Sequence, residues 1–368
     1  MKKHNLNIIL CGTGTVGGTL LEQMAEQQAM LREQQGLNIQ VVGVVDIFNL
    51  MMNADGIDLG AYRTADGVFS MDRFREAFKA APASSIDRIH DEVLAMQLDD
   101  MVFVDCTASY EVAALYQDFL DRSISIVCAN KVAASGDLNA YLKLKDTAVK
   151  NGVKYHFETN VGAGLPLINT INALRATGDR IVRLEAVLSG TLNFIFNTIS
   201  ADIPFSKAVQ MAKEARFSEP DPRIDLMGLD VVRKLVILAR ESGCMISQDD
   251  VEKRLFVPDE YFEGTLDDFW AKLPDLDAHF ESLRQEVEAA GQHLRFVAKL
   301  DEGKASVSLE KVDATHPAYN LEGSNNIILL HTARYTPHPM VIQGYGAGAG
   351  VTAAGVFADI MAIANCGY

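Results

Sequence analysis

Asn7-Ile8-Ile9-Leu10-Cys11-Gly12-Thr13-Gly14-Thr15-Val16-Gly17-Gly18 is the stretch on which the fold turns. Asn7–Cys11 is short and apolar, which predicts a strand. Gly12, Gly14 and Gly17 then spell GxGxxG, and a helical pattern follows from Thr19 to about Gln35. Glycines so placed permit a tight turn and let the backbone approach a pyrophosphate, which the helix N-terminus faces. Such glycines also occur as plain packing turns; the strand before and the helix after favour dinucleotide binding. Working outward, Ile39–Asp46 reads as a second strand, apolar on both faces through Val41, Val42, Val44 and Val45. Met101–Asp105 and Ile124–Cys128 are two more such runs, with a helical stretch from about Tyr110 to Leu120 between them. Buried strands alternating with helices indicate a parallel sheet covered on both faces. Asp46 ends the second strand, where a carboxylate that binds ribose hydroxyls belongs. Its plainer reading is a polar strand end. No basic residue follows it through Asn53 to hold a 2′-phosphate, which favours NAD over NADP.

The chain has 368 residues, enough for two domains and a sizeable core. Its formal net charge of -16 argues against nucleic-acid partners and anionic membranes. It leaves room for a small phosphorylated ligand held by backbone N–H groups. The cysteines at 11, 106, 128, 244 and 366 form no CxxC pair, so a reduced, cytoplasmic protein without structural zinc is expected. The N-terminal run is too short for a signal peptide, and no stretch approaches a membrane-spanning length.

A different pattern begins near Lys154. Lys154–Glu158 reads as a strand, broken by Gly162-Ala163-Gly164-Leu165-Pro166, with a helix to about Ala176. Ile181–Leu188, His293–Leu300, Ala305–Val312 and Asn326–Leu330 read as strands; Phe205–Ala215 and Leu229–Ser242 read as helices. Between those helices, residues 216–230 carry Glu219, Asp221, Asp225 and Asp230, and two prolines keep the front of the segment out of helix. Asp230 and Lys234 share a helical face at i,i+4. A surface ion pair is the plain reading. Val231, Val232, Leu235, Val236, Ile237 and Leu238 leave that helix little polar surface, however, so burial of Lys234 is expected, and with it a role in acid/base chemistry. The carboxylates suit a substrate ammonium group. A run of glycines from Gly344 to Gly350 reads as a turn that returns the tail to a ligand site.

Over almost its whole length the chain resembles homoserine dehydrogenases. The likeness rests on the glycine loop, Cys128-Ala129-Asn130-Lys131, Glu158 through Pro166, Gly190-Thr191-Leu192-Asn193, Glu219-Pro220-Asp221-Pro222 through Asp225, Gly228, Asp230 and Lys234. The tail adds Gly346-Ala347-Gly348 and Val351 through Gly355. It is nearest to the dehydrogenase half of bifunctional aspartokinase–homoserine dehydrogenases, without room for an ACT domain. The resemblance implies interconversion of L-homoserine and L-aspartate 4-semialdehyde with NAD or NADP, in threonine, methionine and isoleucine biosynthesis. By position it implies Lys234 as proton donor and acceptor, with Asp230, Glu219, Asp225 and Lys131 toward the substrate. Gly12, Gly14, Thr15, Val16, Gly17, Asp46, Thr107, Lys131 and Gly348 would hold the cofactor. Glu158, Val161, Ala163 and Leu165 match a monovalent-cation site, for Na+ or K+, formed largely by backbone carbonyls. Arg216 and Phe217 depart from the Gly-Tyr pair usual in the family, and Val132 from a lysine.

The expected architecture is α/β. A Rossmann-type nucleotide-binding domain covers 1–153 and 340–368, and an α+β catalytic domain covering 154–339 carries a homodimer contact. Two other functions fit parts of the sequence. A semialdehyde oxidoreductase working through Cys106 or Cys128 needs an activated thiolate. A non-catalytic dinucleotide-binding regulator needs the glycine loop but not Lys234.

Overall fold

The computed structural model describes residues 4–365, so Cys366 lies outside the described residues. The chain divides into two compact units, one reaching Gly164 and resuming at Gly348, the other running from Leu165 to Ala347. Both breaks fall later than the 153/154 and 339/340 positions expected from the sequence. Tyr155–His156 extends the first sheet, and Met340–Tyr345, expected in the nucleotide unit, pairs with a strand of the second.

The first unit holds strands β1 (His4–Cys11), β2 (Leu37–Val45), β3 (Leu50–Met52), β4 (Met101–Asp105), β5 (Ser125–Cys128) and β6 (Tyr155–His156). Their order is β3-β2-β1-β4-β5-β6. All pairings are parallel except β2 with β3. This is the doubly wound order, in which ligands bind outside the carboxyl ends of the strands at the β1/β4 switch point. The helices are α1 (Thr15–Met30), α2 (Met71–Phe78), α3 (Ile86–Ala95), α4 (Tyr110–Ala114), α5 (Tyr116–Asp121), α6 (Val132–Ser135) and α7 (Leu138–Asn151). Helix α7 shows the local code plainly: Asp137 caps it by accepting from the Ala140 N–H, and left-handed Gly152 ends it. Ile8, Leu10, Val44, Val102 and Val104 form the core with Leu20, Leu21 and Met24 of α1. Ala353, Val356 and Ile360 of the last helix join the same cluster, which is why the tail belongs to this unit.

The second unit contains α8 (Ile168–Ala176), β7 (Ile181–Val187), α9 (Gly190–Thr198), α10 (Phe205–Glu214), α11 (Arg223–Leu226) and α12 (Leu229–Glu241). After these come β8 (Val251–Arg254), α13 (Leu266–Lys272), α14 (Asp277–Ala289), β9 (His293–Asp301), β10 (Lys304–Val312), β11 (Asn325–Thr332) and β12 (Met340–Tyr345). The last helix, α15 (Ala349–Asn365), lies back in the first unit. The second sheet runs β12-β11-β7-β9-β10-β8 and is antiparallel apart from the β8–β10 pair. Helices α9, α12 and α14 pack on β9. A smaller cluster, Val187, Val297, Ile327 and Leu329 beneath Ala318 and Leu321, forms a second patch of buried apolar side chains.

Candidate active site

In the first unit the glycine loop has the geometry its spacing predicts, with one shift: α1 starts at Thr15 rather than Thr19. Thr15, Val16 and Gly17 therefore form the helix's first turn, whose N–H groups lack helical partners and suit an anion. Gly12 sits at φ +96°, and a Cβ there would come within 2.9 Å of Thr107 Cγ2. A Cβ on Gly17 would lie 1.9 Å from the Gly12 carbonyl oxygen, whereas one on Gly14 meets nothing within 4 Å. Two glycines thus close the turn, and the middle one faces open space.

Asp46 points at this loop. Its Oδ2 accepts from Thr13 Oγ1 at 3.0 Å, and its Oδ1 accepts from the N–H groups of Phe48 and Asn49, each at 2.8 Å. Arg63, the first basic residue after Asp46, is committed to the carbonyls of Gly67 and Ala25. At the neighbouring strand ends, Thr107 follows β4, and half-buried Lys131 follows β5. Gly348 lies in the same unit at φ +127°, a conformation open to glycine, and the Gly350 carbonyl accepts from Gln23 of α1.

The residue that organises these strand ends was not singled out from the sequence. Asp105, the last residue of β4, is fully buried. It accepts from the Thr107 N–H at 2.7 Å, Tyr116 Oη at 2.6 Å and Asn130 Nδ2 at 2.9 Å. A carboxylate closing the apolar run Met101–Val104 was the available signal. Burial first, and then the charge of Asp105, pushes the thiols of Cys106 and Cys128 up. That disfavours both as nucleophiles and weakens the thioester alternative.

The 158–165 stretch departs from expectation locally: the strand stops at His156, and Glu158–Asn160 is a 3-10 turn. Gly162 and Ala163 both have positive φ, at 74° and 54°. Glu158, Val161 and Ala163 are buried in the first unit, while half-buried Leu165 opens the second. The Glu158 N–H donates to Asp359 Oδ2 at 2.9 Å. Thr159 Oγ1 and Asn160 Oδ1 are buried without a hydrogen-bond partner. Among the described residues, no group of three or more His, Cys, Asp and Glu side chains is arranged to hold a metal ion.

In the second unit, Lys234 lies on α12 and is 8% exposed. Its Nζ donates to the Leu188 carbonyl at 2.7 Å and pairs with Asp230 Oδ2 at 2.7 Å. The Leu188 carbonyl also receives Asn326 Nδ2 at 3.3 Å. Asn326 is itself fully buried, and a Cβ on Gly346 would fall 2.1 Å from its carboxamide carbon. One glycine of the tail motif is therefore explained by packing against Asn326. Neither Leu188, acting through its backbone, nor Asn326 carries a sequence signal.

The acidic segment divides its labour. Asp225 accepts from Ser218 Oγ at 3.0 Å and from the Glu219 N–H at 2.9 Å. Burial raises its pKa, and these donors offset the rise only in part. The exposed Glu219 is thus positioned through its backbone. Asp221 instead forms a fork with Arg223, which also reaches the Gly264 carbonyl at 2.9 Å, so it is a structural residue. Gly228 caps α12 at φ +63°, where a Cβ would press on the Phe296 ring at 3.1 Å. Arg216 takes the left-handed conformation at φ +60°, and the Phe217 ring packs on Phe194 with centroids 4.8 Å apart.

Comparison with known proteins follows the same division. The family model described as homoserine dehydrogenase matches residues 166–361, and the one described as homoserine dehydrogenase, NAD binding domain, matches 12–158. The chain is 39% identical to bifunctional aspartokinase/homoserine dehydrogenase 1, chloroplastic, of Arabidopsis thaliana; the match covers 99% of this chain and 39% of that protein. It therefore spans about two fifths of the length of such relatives. It is 35% identical to homoserine dehydrogenase of Schizosaccharomyces pombe, over 98% of this chain and 96% of the other. A hyperthermophilic archaeal homoserine dehydrogenase solved in complex with NADPH superposes with a TM-score of 0.74 at 26% identity, over 98% of each chain.

Proposed function

The chain belongs to the homoserine dehydrogenase family, and on that premise we propose that it interconverts L-homoserine and L-aspartate 4-semialdehyde, a step toward threonine, methionine and isoleucine. The observation that carries this reading is the buried ammonium of Lys234, held by Asp230 Oδ2 and the Leu188 carbonyl, each at 2.7 Å. A lysine ammonium has three N–H donors. Two are occupied, and the third is free to serve the oxygen that alternates between hydroxyl and carbonyl. Glu219, Asp225 and Asp230 supply negative charge for the substrate ammonium, and Lys131 supplies positive charge near the cofactor or substrate. When bound, the nicotinamide cofactor accepts or donates the hydride. Gly12, Gly14, Thr15, Val16, Gly17, Asp46, Thr107, Lys131 and Gly348 would hold it, and the open space at Gly14 suits a pyrophosphate. Homoserine-dependent reduction of NAD or NADP by the purified protein tests the reading; no turnover with either would overturn it.

Three finer assignments belong to the same proposal. NAD is the preferred cofactor, because Asp46 faces the glycine loop, where its carboxylate repels a 2′-phosphate, while Arg63 is already engaged. A preference for NADP left unchanged by Asp46→Ser would refute it. A monovalent cation, Na+ or K+, sits at Glu158, Val161, Ala163 and Leu165. Buried Glu158 and Asp359, with the orphaned Thr159 and Asn160 oxygens, suit a positive charge. Activity measured in tetramethylammonium salts, then with Na+ or K+ added, tests it. The protein is a homodimer formed through the second unit, where edge strand β12 exposes Val341 and Tyr345. Light scattering on a sizing column gives the mass directly. A reducing, cytoplasmic setting suits the four described cysteines, which are all free thiols. No helix among the described residues is long and apolar enough to cross a membrane.

A further inference from the structure

We propose that Asp105 sets the balance between the two charge states of the bound nicotinamide, favouring the oxidised, cationic ring over the reduced, neutral one. The inference deepens the dehydrogenase reading and rests on it. The sheet order β3-β2-β1-β4-β5-β6 places one nucleotide half over β1–β3 and the other over β4–β6. Asp46, just past the end of β2, would mark the adenosine half. The nicotinamide half would then lie over the carboxyl ends of β4 to β6, and Asp105 is the last residue of β4. Thr107, two residues on, also packs beneath the Gly12 turn.

The carboxyl oxygens of Asp105 are ringed by hydrogen-bond donors. All three donate, and all three are neutral: a backbone N–H, a phenol and a carboxamide. The Asn130 carboxamide is oriented independently, because its Nδ2 also donates to the Ser109 carbonyl at 2.9 Å while its Oδ1 accepts from the Val132 N–H at 3.0 Å. Burial above all, with neighbouring Cys128 and Asp105 adding to it, holds the Tyr116 phenol well above its ordinary pKa, so it remains a donor. The thiols of Cys11, Cys106 and Cys128 are likewise pushed up and stay uncharged. A buried anion solvated only by neutral dipoles acts through a low dielectric and is weakly screened by salt. The oxidised ring bears one positive charge, which the reduced ring lost when it took up a hydride. Only the first gains from Asp105.

The test is direct titration of the protein with NAD and with NADH, by calorimetry and cofactor fluorescence, without substrate. Asp105→Asn should weaken NAD about tenfold relative to NADH. Tyr116→Phe, which removes a donor but leaves the charge, should keep the wild-type ratio of the two dissociation constants. Should Asp105→Asn not fold, Asp105→Ser is the second neutral variant and should shift the ratio the same way. An unchanged ratio in a folded, cofactor-binding neutral variant overturns the proposal. So does an equal loss of ratio in Tyr116→Phe, which would make Asp105 a packing residue. A wild-type protein that binds neither form overturns the dehydrogenase reading itself.

Discussion

Replacing Lys234 by methionine removes the ammonium and keeps the length of the side chain. Two interactions are lost. The first is the pair with Asp230, whose side chain is 52% exposed; exposed pairs of this kind contribute about 0–1 kcal/mol. The second is the bond to the Leu188 carbonyl, with a net contribution of about 0.5–1.5 kcal/mol. That carbonyl is not stranded, because Asn326 Nδ2 still donates to it at 3.3 Å. An apolar thioether at this buried position of α12 recovers part of the loss through burial. The net change is about 1–2 kcal/mol, too little to unfold an ordinary domain. Removing a positioned proton donor, by contrast, costs about 100-fold to 10,000-fold in rate. Lys234→Met should therefore melt within a few degrees of wild type and bind cofactor normally, yet turn over homoserine at least about 100-fold more slowly. The assay is the initial rate of cofactor reduction, with circular-dichroism melting and cofactor titration on the same preparation. A folded variant within about threefold of wild-type turnover would refute the role of Lys234.

Gly346→Ala should destabilise the protein by about 1–3 kcal/mol, because its Cβ would lie 2.1 Å from the Asn326 carboxamide carbon. Adding Asn326→Ala should relieve part of that loss, and additive denaturation midpoints would show that the two residues do not compete for space. Gly17→Ala, with its Cβ 1.9 Å from the Gly12 oxygen, should lower both melting temperature and cofactor affinity. Gly14→Ala, whose Cβ meets nothing, should lower affinity alone; a matching loss of stability would contradict the open position. Glu185 is buried, which raises its carboxyl pKa, but His316, Arg183 and Lys299 together hold it below its ordinary value. A carboxyl lowered in the folded state stabilises above its unfolded pKa, and that contribution fades as pH falls through the folded value. Glu185→Gln should thus be less stable than wild type at neutral pH, with the gap in urea midpoint closing toward pH 3; a gap independent of pH would count against the linkage.

The sequence alone determined whatever rests on short-range backbone geometry and periodicity. GxGxxG between an apolar run and a helical pattern specified strand, turn and helix, because the positive φ at Gly12 and the contact at Gly17 are local demands on residue type. Continuous apolar runs at Val41–Val45 and Met101–Val104 declared a parallel sheet, since only strands buried on both faces read that way. The i,i+4 spacing of Asp230 and Lys234 on an apolar helix announced a buried ammonium beside its carboxylate. Tertiary structure decided the pairings between distant positions, for which no spacing rule exists. Lys234 meets a backbone carbonyl 46 residues earlier, and Asn326 reaches the same oxygen from 138 residues away. A carbonyl carries no side-chain signature, so nothing in the sequence marks Leu188 as a partner of Lys234. The acidic segment looks uniform in sequence. Folding turns Asp221 onto Arg223 and buries Asp225 beneath the Glu219 N–H, because only the folded chain fixes which carboxylate finds a cation and which loses water. The domain breaks moved for the same reason: β12 is recruited by the open edge of β11, a partner that local pattern does not reveal.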